Sequence, residues 1–99
     1  MTIPGLRQRL DKWLWHARIV RTRTAAAELI VSGFVRVNGK RVEQAAKLVS
    51  EGDVVTVALH HRVLVLKILN FAERRGPFSE ASKLYRLIEG DAGEATGSV

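Results

Sequence analysis

The sequence predicts an α+β domain in which two short helices pack on a small, twisted, mainly antiparallel sheet, with a short third helix near the carboxy terminus. Three observations predict it. Apolar residues recur at helical spacing over the first third of the chain, the pattern switches to alternation at Phe34, and Asn38-Gly39 supplies the positive φ pair of a tight type I′ hairpin.

Each element follows from local chemistry. Leu10, Trp13, Leu14 and Ala17 fall on one stripe of an amphipathic helix from about Arg9 to Arg18, with Arg9, Lys12 and His16 on another face. The segment from Ile19 to Arg21 breaks that pattern. Thr22 then offers a side-chain oxygen to cap a second helix, which runs to about Ser32, ends at Gly33 and buries Ala26, Leu29 and Ile30. The small run from Ala25 to Ala27 lets the helices approach closely, with Trp13 or Leu14 filling the space above. In "FVRVNGKRV", Val35 and Val37 alternate with Phe34 and Arg36 across the hairpin. Residues 43–49 are less regular. Gly52-Asp53 turns the chain into strands over 54–59 and 62–69, joined at His60-His61, and Gly76-Pro77 breaks it again. Ser79 is expected to cap a third helix marked by Ala81, Leu84, Tyr85 and Ile88. Residues 1–8 read as an arm, 9–89 as the domain, and the small, polar 90–99 as a disordered tail.

Composition bounds the function. Ninety-nine residues, 46% of them apolar, make one domain that buries about two thirds of the surface its unfolded chain exposes. No stretch approaches the roughly 20 apolar residues that cross a bilayer, and "MTIPGLRQRL" lacks the apolar centre of a secretory signal, so a cytoplasmic location is expected. The absence of cysteine excludes disulfides and thiolate zinc sites. The net charge of +6 is uneven: residues 1–47 hold ten Lys/Arg against Asp11, Glu28 and Glu43, for +7, whereas residues 48–99 sum to −1. Such asymmetry suggests a footprint for a polyanion.

"RIVRTRTAAAEL", residues 18–29, puts Arg18, Arg21 and Arg23 around a helix start, where free N–H groups and the helix dipole oppose cations. An anion offsets that penalty. With Arg9 and Lys12 projecting from the first helix, guanidinium forks and amide donors converge in the way a phosphate requires. Arg36, Lys40 and Arg41 bracket the hairpin turn and extend the basic surface. The bland reading has Asp11, Glu28 and Glu43 neutralise these bases, but three acids cannot pair them all.

The ordered combination of Arg9-Leu10-Asp11, Thr22-Arg23, Leu29-Ile30 with Gly33, Val35, Val37, Asn38-Gly39, Val42, Val49 and Gly52-Asp53 resembles the RNA-binding domain named after ribosomal protein S-four, over about residues 9–57. "DKWLWHAR" and "RRGPFSEASKLY" are similar to the small bacterial family of the ribosome-associated heat-shock protein of fifteen kilodaltons and extend the match to about residue 88. The resemblance implies the two-helix alpha-L motif on a sheet, no catalysis, no cofactor, and binding of structured RNA. It assigns RNA contact to Arg9, Lys12, Thr22, Arg23, Lys40 and Arg41. Arg18, Arg21 and Arg36 are added on charge alone. It also implies association with the large ribosomal subunit, particularly one blocked by an unfinished chain, and a monomer is expected. Thr22 stands where serine is usual, and Ala45-Ala46 where a proline is common. The family's basic carboxy-terminal extension has no counterpart after Arg86, so its contacts are missing or the chain is shortened.

Other readings are weighed against this one. As a helix-turn-helix, the second helix would present Thr24, Glu28 and Ser32, a stripe too short and too acidic for a major groove. His16, His60 and His61 are the only neutral-pH proton shuttles, and the adjacent pair would point to opposite sides of a strand, which gives no catalytic or metal-spaced cluster. The "VLVLKIL" strand could recruit a protein if it lay at a sheet edge, though it reads better as core. Trp15, off the apolar stripe, is expected to pack under the third helix against Tyr85 or Phe78 in preference to stacking on a base. Arg74-Arg75 fit either an RNA surface or a solvated loop.

Overall fold

In the computed structural model, which describes residues 6–90, strand β1 (Arg7–Arg9) runs directly into helix α1 (Leu10–His16), followed by α2 (Arg23–Val31). Leu10, Trp13, Leu14 and Ala17 of the α1 stripe are fully buried, as the spacing requires. Burying an aromatic and two leucines stabilises the fold by about 1.5–3 kcal/mol each. Ala26 of α2 is equally buried, and its small side chain lets the two helices close on each other. Thr22 caps α2 as expected, its hydroxyl accepting from Ala25 N–H at 3.0 Å. Gly33, at φ 87°, ends α2 by donating to Ile30 O, while Phe34 N–H donates to Leu29 O.

The chain then builds β2 (Val35–Val37), β3 (Lys40–Val42), β4 (Leu48–Ser50), β5 (Val54–Ala58), β6 (Val63–Ile68), helix α3 (Phe78–Ala81) and β7 (Tyr85–Glu89). Asn38 and Gly39 hold φ 52° and 84° at the β2–β3 turn, the pair that a type I′ hairpin needs. The asparagine also pins the turn to β5, its Oδ1 accepting from Val54 N–H at 2.9 Å. Strands β3-β2-β5-β6-β7 form an antiparallel sheet, and β1 pairs with β4 in a second, two-stranded one. Val35, Val37, Val55, Val57, Leu64, Leu66 and Ile68 line the inner face of the large sheet and share one core with α1 and α2. Alternation sends Arg36, Thr56, Val65 and Lys67 to the opposite face.

Several expectations are corrected. The third helix covers only Phe78–Ala81. Ser79 lies inside it, Pro77 occupies the cap position, and Tyr85 to Glu89 form a strand. Tyr85 and Leu87 alternate as readily as they fit a helical stripe, and pairing with β6 covers an apolar strand that would otherwise be an edge. The "VLVLKIL" strand therefore lies inside the sheet, between β5 and β7, which removes the reading of it as a recruiting edge. Arg7 and Gln8 belong to a paired strand and not to an arm, and the irregular stretch before Val49 supplies their partner β4. His16 is buried instead of sharing a solvent face with Arg9 and Lys12. His60 and His61 sit in the β5–β6 turn with ring centroids 4.2 Å apart, so they do not diverge. The expected arm residues 1–5 and tail residues 91–99 lie outside the described residues.

Candidate nucleic-acid interface

The starts of α1 and α2 meet at one buried carboxylate. Asp11, whose side chain is 4% exposed, accepts a two-pronged contact from Arg9, Nε to Oδ1 at 3.2 Å and a terminal guanidinium nitrogen to Oδ2 at 3.0 Å. Arg23 Nε, from the first turn of α2, stands 3.6 Å from the same Oδ2. The backbone N–H of Lys12 donates to Oδ1 at 2.7 Å. One carboxylate thus orients two guanidinium groups that remain 46% and 42% exposed, and the cluster keeps a net positive charge. Behind it, the His16 ring donates through Nδ1 to Ala72 O at 3.0 Å. Burial holds the His16 pKa below its ordinary 6.5, the Ala72 carbonyl opposes that shift, and the positive charges of Lys12, Arg23 and Arg75 add to it. The imidazole is therefore neutral at pH 7.

A second basic region adjoins the first through the backbone. Leu10 N–H donates to Lys47 O at 2.8 Å and Asp11 N–H to Ala45 O at 3.2 Å, so the start of α1 rests on the β3–β4 loop. Between that loop and the hairpin runs an open groove of ≈ 610 Å³, lined by Lys40, Arg41 and Lys47 together with Asn38, Glu43 and Asp53. Lys40, opposite Val37, takes the helix side of the sheet, whereas Arg41 is opposite Arg36. Arg41 pairs with the exposed Glu43 at 3.1 Å, and its guanidinium lies in the space that a side chain at Gly33 would fill.

The predicted residues are thus divided. Arg9, Lys12, Thr22 and Arg23 come together at the junction, whereas Lys40 and Arg41 line the separate groove beside the β3–β4 loop on which α1 rests. Arg21 is exposed in the α1–α2 connection and makes no ion pair among the described residues. Arg36 points to the opposite sheet face. Arg18 sits at the far end of α1, where its Nε donates to Gly76 O at 2.6 Å and ties down the segment before α3. Arg75 completes that tie by donating to Trp15 O at 3.0 Å and Val20 O at 3.3 Å, with its guanidinium 5.9 Å from the Trp15 ring centroid. Trp15 packs against the core as expected, but its ring lies beside the Arg75 guanidinium and the His16 ring, whose centroid is 5.3 Å away, and not beside Tyr85 or Phe78. The reading in which nearby acids neutralise the bases holds in part, since Asp11 pairs with Arg9 and Arg23 and Glu43 with Arg41, while Glu28 makes no ion pair among the described residues. That Asp11 orients the two guanidinium groups was missed, although a lone acid among bases in a helix's first turn was a usable signal. Lys47 in the groove had none, because only the loop's return to α1 places it there.

Comparison with known proteins bears on this geometry. The family model described as S4 domain matches residues 8–55, the stretch from β1 to β5 that holds the junction and the hairpin. Heat shock protein 15 of Escherichia coli K12 is 38% identical over 82 residues, which cover 83% of this chain and 61% of that protein. The chain therefore spans about three fifths of the length of that relative. The RQC P-site tRNA stabilizing factor of Halalkalibacterium halodurans is 35% identical over 79 residues, 80% of this chain and 88% of that one. Among solved structures, trimeric Vibrio cholerae Heat Shock Protein 15 superposes with a TM-score of 0.78 at 34% identity, covering 93% of this chain and 89% of the other.

Proposed function

Because this chain belongs to the S4-domain family that includes heat shock protein 15, we propose that it binds structured RNA of the ribosome without catalysing a reaction. The bound RNA is that of the large subunit, in a stress or stalled-translation role, which implies a cytoplasmic location. One observation carries the reading: Asp11 orients Arg9 and Arg23 side by side at the start of α2 yet leaves the pair with surplus positive charge. A cluster built for stability alone would be neutral; a folded RNA backbone supplies the missing anions. Lys12, Arg21 and Thr22 widen the same surface, and Lys40 and Arg41 continue it along the groove. Arg18 and Arg36 contribute to the field from outside the cluster. All of these groups come from one chain, so a monomer suffices.

Crosslinking the protein to ribosomes and sequencing the attached RNA tests the assignment. Recovery of one large-subunit helix, with or without a bound transfer RNA, supports it, and random recovery along both subunits overturns it. In the matching variant test, Arg21→Gln/Arg23→Gln lowers co-sedimentation with ribosomes while the circular dichroism of the fold is retained. Unchanged co-sedimentation would mean that a protein surface, not RNA, is the partner.

A further inference from the structure

On the outer face of the five-stranded sheet Arg36, Val63 and Arg86 are exposed and Thr56, Val65 and Lys67 half-buried, and the composition is not that of an ordinary solvated face. Lys67 stands directly opposite Arg86, a like-charged cross-strand pair, and Arg36 shares the surface, whereas Arg41, in register with Arg36, turns its guanidinium to Glu43 and Gly33. Such a pair opposes sheet formation unless an anion lies over it. Between Arg36 and that pair run Thr56, in register with both Arg36 and Val65, and Val54, in register with Lys67. Beside them Phe34 continues the β2 ladder, its carbonyl accepting from Ala58 N–H at 2.9 Å, which puts its ring in phase with Arg36. That ring is 52% exposed, and Val63, paired with Ala58, is 51% exposed. Glu89, opposite Val65, is the face's acid on β7.

We propose that this outer face is a second nucleic-acid site, one that takes a single-stranded RNA segment, with Phe34 stacking on a base and Arg36, Lys67 and Arg86 holding phosphates. Open antiparallel sheets with an exposed aromatic and flanking cations suit unpaired bases, because every base offers a π-face while the backbone needs only positive charge. Five strands at about 4.8 Å spacing give a platform on the order of 19 Å across, enough for several nucleotides. A second copy of the chain fits this face less well, since it would bring the same cations against it. The site goes beyond the helix-junction reading and stands on side chains outside that junction.

Fluorescence anisotropy with a short labelled oligouridylate, which has no duplex structure, tests the site against a labelled RNA hairpin as control. Wild type is expected to bind the oligouridylate saturably, and Phe34→Ala to weaken that binding about tenfold while leaving hairpin binding unchanged. Lys67→Gln/Arg86→Gln is expected to weaken it similarly and to flatten its salt dependence. Arg21→Gln/Arg23→Gln is expected to show the reverse pattern, so failure of the junction reading and failure of this one are separable. Absence of oligouridylate binding by the folded wild type overturns the proposal, as does binding that both outer-face variants leave intact. A sedimentation coefficient that rises with concentration in wild type and stays constant in Phe34→Ala overturns it too, by assigning the face to self-association.

Discussion

Arg18 occupies φ 60°, a left-handed conformation that glycine adopts freely and arginine does not. It ends α1 in the motif usually closed by glycine, donating its N–H to Trp15 O at 3.1 Å while Ile19 N–H reaches Leu14 O at 3.0 Å. The side chain's bond to Gly76 O repays part of that strain, and two substitutions separate the contributions. Arg18→Ala loses the bond and keeps the strain, whereas Arg18→Gly loses both. Arg18→Gly should therefore be more stable than Arg18→Ala by about 1 kcal/mol in urea unfolding, and equal midpoints would show that residue 18 is unstrained. His16 gives a second prediction. Its folded pKa is depressed, so the unfolded chain binds the proton more readily, and stability is whole above about 6.5. As pH falls through 6.5 toward the folded value, stability declines. Unfolding midpoints measured from pH 8 down to pH 5 should show this fall in wild type and a smaller one in His16→Gln.

The hairpin is tied to the helix pair through one glycine. Gly33 has φ 87° and carries the Arg41 guanidinium against its Cα, whereas Gly39 has φ 84° and open space around it. Alanine at either site meets backbone strain of about 1 kcal/mol or more. Only at Gly33 must Arg41 also leave, so Gly33→Ala should be the more destabilising by thermal unfolding and should weaken RNA binding. In Gly33→Ala/Arg41→Ala the surplus destabilisation should vanish; if it persists, the contact does not couple the elements. These elements were legible to different degrees. The α1 stripe, the Thr22 cap and the Asn38-Gly39 turn are each written in a few adjacent residues whose chemistry has one reading. The stretch from Leu84 to Ile88 satisfies both the helical and the alternating pattern, and only the need of β6 for a neighbour decides it as β7. Strands β1 and β4, three residues each, carry too little pattern to be seen, and it is their pairing that sets the β3–β4 loop beneath α1. The candidate binding residues were legible as charge. Their division between the junction, the Gly76 tie and the outer sheet face was not, because spacing gives the face of an element and not what covers it.

At the scale of the whole molecule, 36 × 29 × 23 Å, cations on opposite faces stand farther apart than the Debye length of about 8 Å at physiological salt. The +7 of residues 1–47 therefore acts as local fields and not as one, and each face should report its own phosphates. For a structured RNA held at the junction and the groove, contact by Arg9, Lys12, Arg21, Arg23, Lys40 and Arg41 implies about six phosphates. Counterion release then predicts a fall in affinity of roughly a thousandfold between about 50 and 200 mM salt. The slope is more telling than the fall. Arg21→Gln/Arg23→Gln removes two of the six contacts, so the magnitude of the log–log slope should drop by about two while the fold is unchanged. Lys67→Gln/Arg86→Gln lowers the net charge by the same amount but from the other face, and should leave the slope for that RNA unaltered. If both double variants flatten it equally, binding follows total charge, and the placement of guanidinium groups by Asp11 has no bearing on recognition.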